Sequence, residues 1–422
     1  MFDLDRWQEI WETITKNKMR SFLTAFGVFW GIFMLVVMYG SGNGLRNGIM
    51  NGIQSVATNS VFYWTNNTTE PYKGFKKGRS WLMRSKDIEI IKSKIPEVEV
   101  VSPMLFGGGR TPKNTIRGEK SGSYNVKGLN PDYVKIDKPD IVYGRYINDI
   151  DIQQRRKAVV IGYNAYEDLY KIGENPIGTT IKVNGIYYTV IGVVKGNSQM
   201  NINGPVNRSV MLPYTTMQVA YNMGDQVHVL AITSKASTSV SSLEDRIKGI
   251  LKKEHDISPT DPEAVSGFNL ERQFKMFANL FLGIKVLILI VGLGTLFAGV
   301  VGVSNIMMVT IRERTQEIGI RRALGATPFN ILSQIMMESL VLTLIAGVAG
   351  LSFGVFILNI VDNVLTAQSA ASNDDMFFMN PQISFDLAIF AMLVLVIAGL
   401  FAGMIPARKA LRIKAIDALR DE

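Results

Sequence analysis

Four uninterrupted apolar runs constrain this chain more than any other feature. The first, Ser21 to Gly44, carries no charge, and the second, Val286 to Ile311, is bounded by Lys285 and Arg312. The third lies within Phe329–Val361 with Glu338 as its one charge, and the fourth runs from Leu387 to Ala407 between Asp386 and Arg408. Each reaches the ~20 residues that a helix needs to cross a bilayer, where every backbone polar group must bond within its own segment. We set the spans at 21–44, 284–311, 329–360 and 386–406. The expected class is a membrane protein with four transmembrane α-helices and a large α+β domain outside the membrane.

Charge orients the spans. The net charge is +9, but Lys and Arg gather beside the apolar runs rather than in a stripe with interleaved aromatics. Membrane lipid, not nucleic acid, is therefore the expected partner. Lys16, Lys18 and Arg20 precede the first span, and Arg312, Arg314, Arg321 and Arg322 separate the second from the third. Arg408, Lys409, Arg412, Lys414 and Arg420 follow the fourth. The loop 361–385 has no Lys or Arg and carries Asp362, Asp374 and Asp375. Both termini, the segment 312–328 and the tail 407–422 are expected in the cytoplasm, and residues 45–280 outside. The first run is too long for a signal-peptide core and no small-x-small cleavage site closes it, which predicts an uncleaved anchor. Ahead of it, Leu4, Trp7, Trp11 and Ile14 at helical spacing predict an amphipathic helix over 1–20, lying in the interface or against the spans.

The outward region mixes strand and helix signals. Residues 59–64 read as a strand, 85–95 as a helix and 98–106 as a strand. The order recurs at 227–233, 239–254 and 266–271. These two β-α-β units, over 45–110 and 225–280, are expected to pair in one α+β layer. Between them, 110–225 reads as a β-rich insert with strands at Ala158–Ile161, Thr180–Val183 and Tyr187–Val194. Asn184-Gly185 between the last two is a hairpin turn signal.

Candidate chemistry is sparse. No cysteine is present, so disulfides, thiolate metal sites and a Cys nucleophile are excluded. Gly173 to Thr180 resembles a phosphate loop, but it lacks the lysine and precedes a strand, so a turn is expected. His228 and His255 are the two histidines; without companion ligands they read as structural, not metal-binding. Asn67-Thr68-Thr69 is a chance sequon. No catalytic constellation stands out. Gly27/Gly31, Gly350/Gly354 and Gly399/Gly403 are small-xxx-small pairs that let helices approach closely, within one chain or between two. Glu338, near one end of its span, reads as a carboxylate paired with Arg321 or Arg322, with a proton or substrate role as the alternative. Arg312 to Thr327 reads as a short charged helix ending at Gly325, of the kind that receives force from a partner.

That segment carries a resemblance. Glu313-Arg314-Thr315, Glu317-Ile318-Gly319-Ile320-Arg321 and Ala323-Leu324-Gly325-Ala326 are similar to the signature of FtsX-like permeases. Pro406 to Ala410 and Ala418-Leu419-Arg420 resemble that family's ending, with Ala415 where the family usually has Pro. Val126-Lys127-Gly128-Leu129, Gly144-Arg145, Val159 to Gly162, Pro176-Ile177-Gly178 and Val190 to Val194 resemble a MacB-type periplasmic core. The resemblance implies the permease subunit of a MacB-like ABC transporter in a bacterial inner membrane. The base of the outward domain would be the porter and the insert the sabre. It further implies a homodimer, or a pseudo-dimer with a paralogue, working with cytoplasmic ABC ATPases by mechanotransmission. This sequence holds no G-x-x-x-x-G-K-[ST] loop, so ATP and Mg would be bound by the partner ATPase and no cofactor by this chain. Glu313, Arg314, Glu317, Arg321 and Arg322 would couple to that ATPase, with Gly319 and Gly325 shaping the turn. An adaptor and an outer-membrane channel are implied for efflux. Lol-type lipoprotein release and FtsX-like control of a cell-wall hydrolase are the alternatives.

Overall fold

The computed structural model describes residues 18–51, 56–107, 114–196, 204–372 and 378–410. The interfacial helix expected from Leu4, Trp7, Trp11 and Ile14 lies outside the described residues. So do Asp374, Asp375 and the tail carrying Arg412, Lys414, Ala415 and Arg420. The chain divides into a helical unit, Met1–Ile49 with Asn279–Glu422, and an α+β unit, Met50–Ala278.

The first helix, α1 (Lys18–Asn51), runs past the apolar segment that announces it. The α+β unit follows. Its first half contains β1 (Ser60–Thr65), β2 (Met83–Arg84), α2 (Ser85–Lys94), β3 (Val98–Gly107), β4 (Asn114–Arg117), β5 (Lys120–Ser123), β6 (Asn125–Leu129) and β7 (Asp140–Gly144). Then come α3 (Asp149–Gln153), β8 (Ala158–Gly162), α4 (Tyr163–Leu169), β9 (Thr180–Val183), β10 (Ile186–Lys195), β11 (Ser209–Pro213) and α5 (Tyr214–Ala220). The unit closes with β12 (Gln226–Val227), β13 (Val229–Ser234), α6 (Glu244–Glu254) and β14 (Val265–Asn269).

The two distant β-α-β signals interleave in one sheet, in the order β14-β1-β13-β3-β6-β11-β8-β10-β9-β4-β5, with β7 also on β10. β1 pairs antiparallel with β13, setting Tyr63 opposite Leu230, and β13 pairs antiparallel with β3. Sheet periodicity explains why β1 is apolar at successive positions. Val61 and Tyr63 join Ile91 of α2 with Ile247 and Leu251 of α6 on one face. Phe62 joins Val100, Met104 and Ala231 in a second cluster. A strand covered on both faces has no polar side to show.

The insert shares this framework rather than hanging from it. β3 continues past β13 to pair with β6, opposite Phe106 and Gly107. The cluster around Phe62 also takes in Val160, Val194 and Met211 from the insert strands. Asn184 and Gly185 both adopt positive φ, +48° and +92°, as the two-residue β9–β10 turn requires. Gly173 and Gly178 also have positive φ and form a turn ahead of β9.

One expected boundary shifts. The strand expected over 266–271 ends at Asn269, and Leu270 and Glu271 open a helix instead. Asn269 Oδ1 accepts the amide of Arg272 at 2.9 Å, which is an N-cap, and Glu271 places negative charge at the positive end of the helix. This helix, α7 (Leu270–Glu313), starts well before the apolar run of the second span. After it come α8 (Thr315–Ala323), α9 (Pro328–Ser372) and α10 (Phe385–Ala410).

By length and composition α1, α7, α9 and α10 can each cross a membrane. Large apolar side chains stand exposed around them, among them Phe297, Phe356, Phe401 and Ile405. In water such surfaces would associate; in lipid they need no cover. At one end of this unit α1 is tied to the segment before α10. Gly44 accepts the amide of Met379 at 3.0 Å, and Asn43 Nδ2 donates to the Gln382 carbonyl at 3.0 Å.

Candidate functional site

The segment between the second and third spans forms a short helix with defined ends. Helix α7 stops at Glu313, and Arg314 leaves the helical region at φ −100°, ψ 15°. The Arg314 amide still donates to Thr310 O at 3.1 Å, and its carbonyl accepts Ile318 N at 3.0 Å. Arg314 is thus both the last link of α7 and the entry to α8. At the far end Gly325 takes φ +96°. Ala326 N reaches Arg321 O at 3.0 Å and Gly325 N reaches Arg322 O at 3.1 Å. These two bonds make a Schellman cap, and glycine bears the left-handed conformation without strain. Thr327 Oγ1 then accepts Asn330 N at 3.3 Å to start α9.

The charged residues of α8 bind one another and α9. Arg321 Nη2 donates to Glu317 Oε1 at 2.7 Å and its Nη1 to Gln334 Oε1 at 2.9 Å. Arg314 Nη1 meets Glu338 Oε1 at 3.2 Å. Glu338 is 3% exposed. Arg314 is thus a cation on Glu338 that the sequence, which pointed to Arg321 or Arg322, did not single out. The break before α8 turns the Arg314 side chain toward α9, while Arg321 is engaged by Glu317 and Gln334. The same side chains line a cleft of about 30 Å³ with Ile318, Ile331 and Ile335. Ile318 and Gly319 are buried and seat the inner face of α8. Arg322 is partly buried and Glu313 exposed.

Three residues of this segment escaped the sequence reading. Ile320 is 43%, Leu324 83% and Phe329 73% exposed. They are large apolar side chains in an otherwise charged segment. Ile320 and Leu324 sit at i, i+4, the spacing of one helical face, a signal that was present but masked by the charges around it.

The six span glycines all abut helices of this same chain. A Cβ at Gly31 would stand 3.2 Å from the Leu296 backbone, and Gly27 faces Gly299, both on α7. A Cβ at Gly350 would lie 2.6 Å from the Phe29 carbonyl oxygen, and one at Gly354 2.7 Å from Val36, both on α1. Gly399 and Gly403 of α10 press on Thr343 and Ser339 of α9.

Both histidines have structural partners. His255 Nε2 lies 2.8 Å from Asp87 Oδ2, with the Trp81 ring 4.7 Å from its own. His228 Nδ1 accepts Phe106 N at 3.0 Å, and burial lowers its pKa. No cluster of three or more metal-ligating side chains occurs among the described residues.

Known proteins match most of this chain. A family described as MacB-like periplasmic core domain matches residues 21–250. A second, described as FtsX-like permease C-terminal, matches residues 289–415. A macrolide export ATP-binding/permease protein MacB of Bdellovibrio bacteriovorus is 27% identical over 340 residues, 80% of this chain and 49% of the relative. A pyoverdine export ATP-binding/permease protein PvdT of Pseudomonas putida is 27% identical over 334 residues, 78% of this chain and 47% of the relative. The chain spans about half the length of these curated relatives. An uncharacterized ABC transporter permease of Methanocaldococcus jannaschii is 27% identical over 84% of each chain. The crystal structure of the periplasmic region of MacB from Actinobacillus actinomycetemcomitans aligns with a TM-score of 0.43 at 21% identity, covering 55% of this chain and 98% of that one.

Proposed function

The chain belongs to the MacB-type family of ABC transporter permeases, and we propose that it is the permease subunit of an exporter driven by a separate cytoplasmic ATPase docked on α8. The observation that carries this reading is α8 itself. It is a short helix fixed at both ends and bonded to α9 along one side. Its exposed surface includes Ile320, with Leu324 at its C-cap and Phe329 just beyond. Exposed apolar side chains rimmed by charge are the pattern of an interface, an apolar centre inside a polar rim.

In this reading ATP and Mg belong to the partner, and this chain contributes no catalytic group. Closure of the ATPase pair displaces α8. The displacement passes to α7 and α9, and the α+β unit changes position outside the membrane. The α8 segment and both termini face the cytoplasm, as the Lys and Arg distribution asks. A homodimer, or a pseudo-dimer with a paralogue, would give each ATPase of a pair its own α8. Export is carried over from relatives named for macrolide and pyoverdine export. A periplasmic adaptor and an outer-membrane channel would complete the route.

Leu324→Ser and Phe329→Ser test the docking face. Each is expected to weaken co-purification of the ATPase at least about tenfold and to lower permease-stimulated ATP hydrolysis. Glu317→Ala with Arg321→Ala should lower stimulation as well, by loosening the seat of α8. Normal capture and normal stimulation in all of these variants would refute the assignment.

A further inference from the structure

We infer that Glu338 is a positioning residue of the coupling site, whose carboxylate holds Arg314 and thereby fixes the angle of α8 on the spans. The inference rests on α8 being the docking helix and adds which side chain sets its orientation.

A carboxylate inside an apolar span is retained only when paired, because leaving it unpaired in a low-dielectric setting is costly. Glu338 is paired with the one residue that separates α7 from α8. Arg314 has non-helical backbone angles, so the direction of its side chain is tied to the direction in which α8 leaves α7. Holding its guanidinium at Glu338, 3.2 Å away, holds that break at one angle.

A single bond would leave α8 free to swivel. A second bridge, Arg321 to Gln334 at 2.9 Å, removes that freedom. Arg314 and Arg321 are seven residues apart, so they share a face across two turns. Gln334 and Glu338 are four apart, so they share the facing stripe of α9. Glu317 lies between the two arginines, 2.7 Å from Arg321 and 4.0 Å from Arg314. Two anchors fix a line, and α8 becomes a lever fastened near both ends.

The far side of α9 at this level carries the motion onward. Ser339, next to Glu338, donates to the Gly399 carbonyl of α10 at 3.1 Å. A shift of α8 therefore reaches α9 through charged contacts and α10 through close backbone packing. Ile331 and Ile335 stand beside the ion pair at the same depth, giving it a largely apolar setting.

The absence of cysteine from the sequence permits a direct test. Ala323→Cys on α8 and Met337→Cys on α9, spin-labelled in the full chain in lipid nanodiscs, report the α8–α9 distance distribution. The unmodified site should give one narrow distribution. Glu338→Gln and Arg314→Gln should broaden it about twofold, whereas Glu338→Asp, which keeps the charge, should leave it narrow. With the ATPase added, Glu338→Gln should retain capture while stimulated hydrolysis falls about threefold or more.

A narrow distribution in Glu338→Gln overturns the inference. So does equal broadening in Glu338→Asp, which would mark a general packing role. If Glu338→Gln fails to fold, the Arg314→Gln, Glu338→Gln pair leaves no unpaired charge and takes its place; there a broad distribution supports the inference and a narrow one overturns it. The distance measurement needs no ATPase. Its failure is thus distinct from failure of the docking reading, which would appear as normal capture by Leu324→Ser.

Discussion

Gly350→Ala should destabilise the helical unit, although alanine is the better helix former. A Cβ at position 350 would lie 2.6 Å from the Phe29 carbonyl oxygen and 3.3 Å from the Phe29 Cα. Ordinary contact begins near 3.4 Å, so α1 and α9 would have to part by about 0.8 Å at the crossing. A gap of 0.5–1 Å forfeits roughly a quarter to a half of each dispersion contact it opens. The seam affected includes Gly354 against Val36 and the Phe29, Phe33 and Phe353 rings, whose centroids stand 5.4–6.0 Å apart. Overpacking of this kind costs about 1–3 kcal/mol, against about 1 kcal/mol gained in helix propensity. Gly294→Ala supplies the control. Nothing lies within 4 Å of a Cβ there, so the propensity gain stands alone. Thermal unfolding of the purified chain in detergent should rank Gly294→Ala at or above wild type and Gly350→Ala below it. If Gly350→Ala matches or exceeds Gly294→Ala, the close backbone crossing is wrong.

Two further predictions concern the α+β unit. Asp261 fastens the segment after β1, accepting Thr69 N at 2.7 Å, Thr69 Oγ1 at 2.8 Å, Glu70 N at 3.2 Å, Glu263 N at 3.1 Å and Ala264 N at 3.0 Å. Burial pushes its pKa upward, but these hydrogen bonds prevail and hold it at about 2. A depressed carboxylate pKa stabilises the fold above the unfolded value near 3.9 and loses that contribution as pH falls toward about 2. Asp261→Asn turns a donor toward donors. It should cost about 2–4 kcal/mol at neutral pH and flatten the acid limb of the denaturation-midpoint profile; an unchanged acid limb would contradict this. Lys127 is buried and donates to Gly204 O at 2.6 Å. Burial lowers its pKa to about 8 against the opposing pull of Asp137. The unfolded chain then holds the extra proton between about pH 8 and 10.4, so Lys127 adds up to about 1.4 kcal/mol of stability per pH unit across that window. Lys127→Met should abolish this rise in a comparison of denaturation midpoints from pH 7 to 10, and parallel curves would refute it.

The apolar runs, the cationic flanks and the α8 signature were fixed by composition along the chain. That is why sequence alone determined the four spans, the large domain between the first two, and the family. A bilayer reads length and charge locally, and no tertiary contact is needed to state either. The Asn184-Gly185 turn and the Gly325 cap were legible for the same reason, since their backbone angles are local demands. What required three dimensions was every choice of partner. The sequence offered Glu338 the nearby Arg321 or Arg322, and its pairing with Arg314 came into view only with the break before α8. The glycine pairs announced close packing, but that Phe29, Leu296 and Ser339 lie against them was visible only in the folded chain. Ile320, Leu324 and Phe329 read as ordinary apolar residues until folding left them uncovered. Asn269 capped a helix where periodicity continued a strand, because a cap is a single side-chain bond that no pattern of hydrophobicity records.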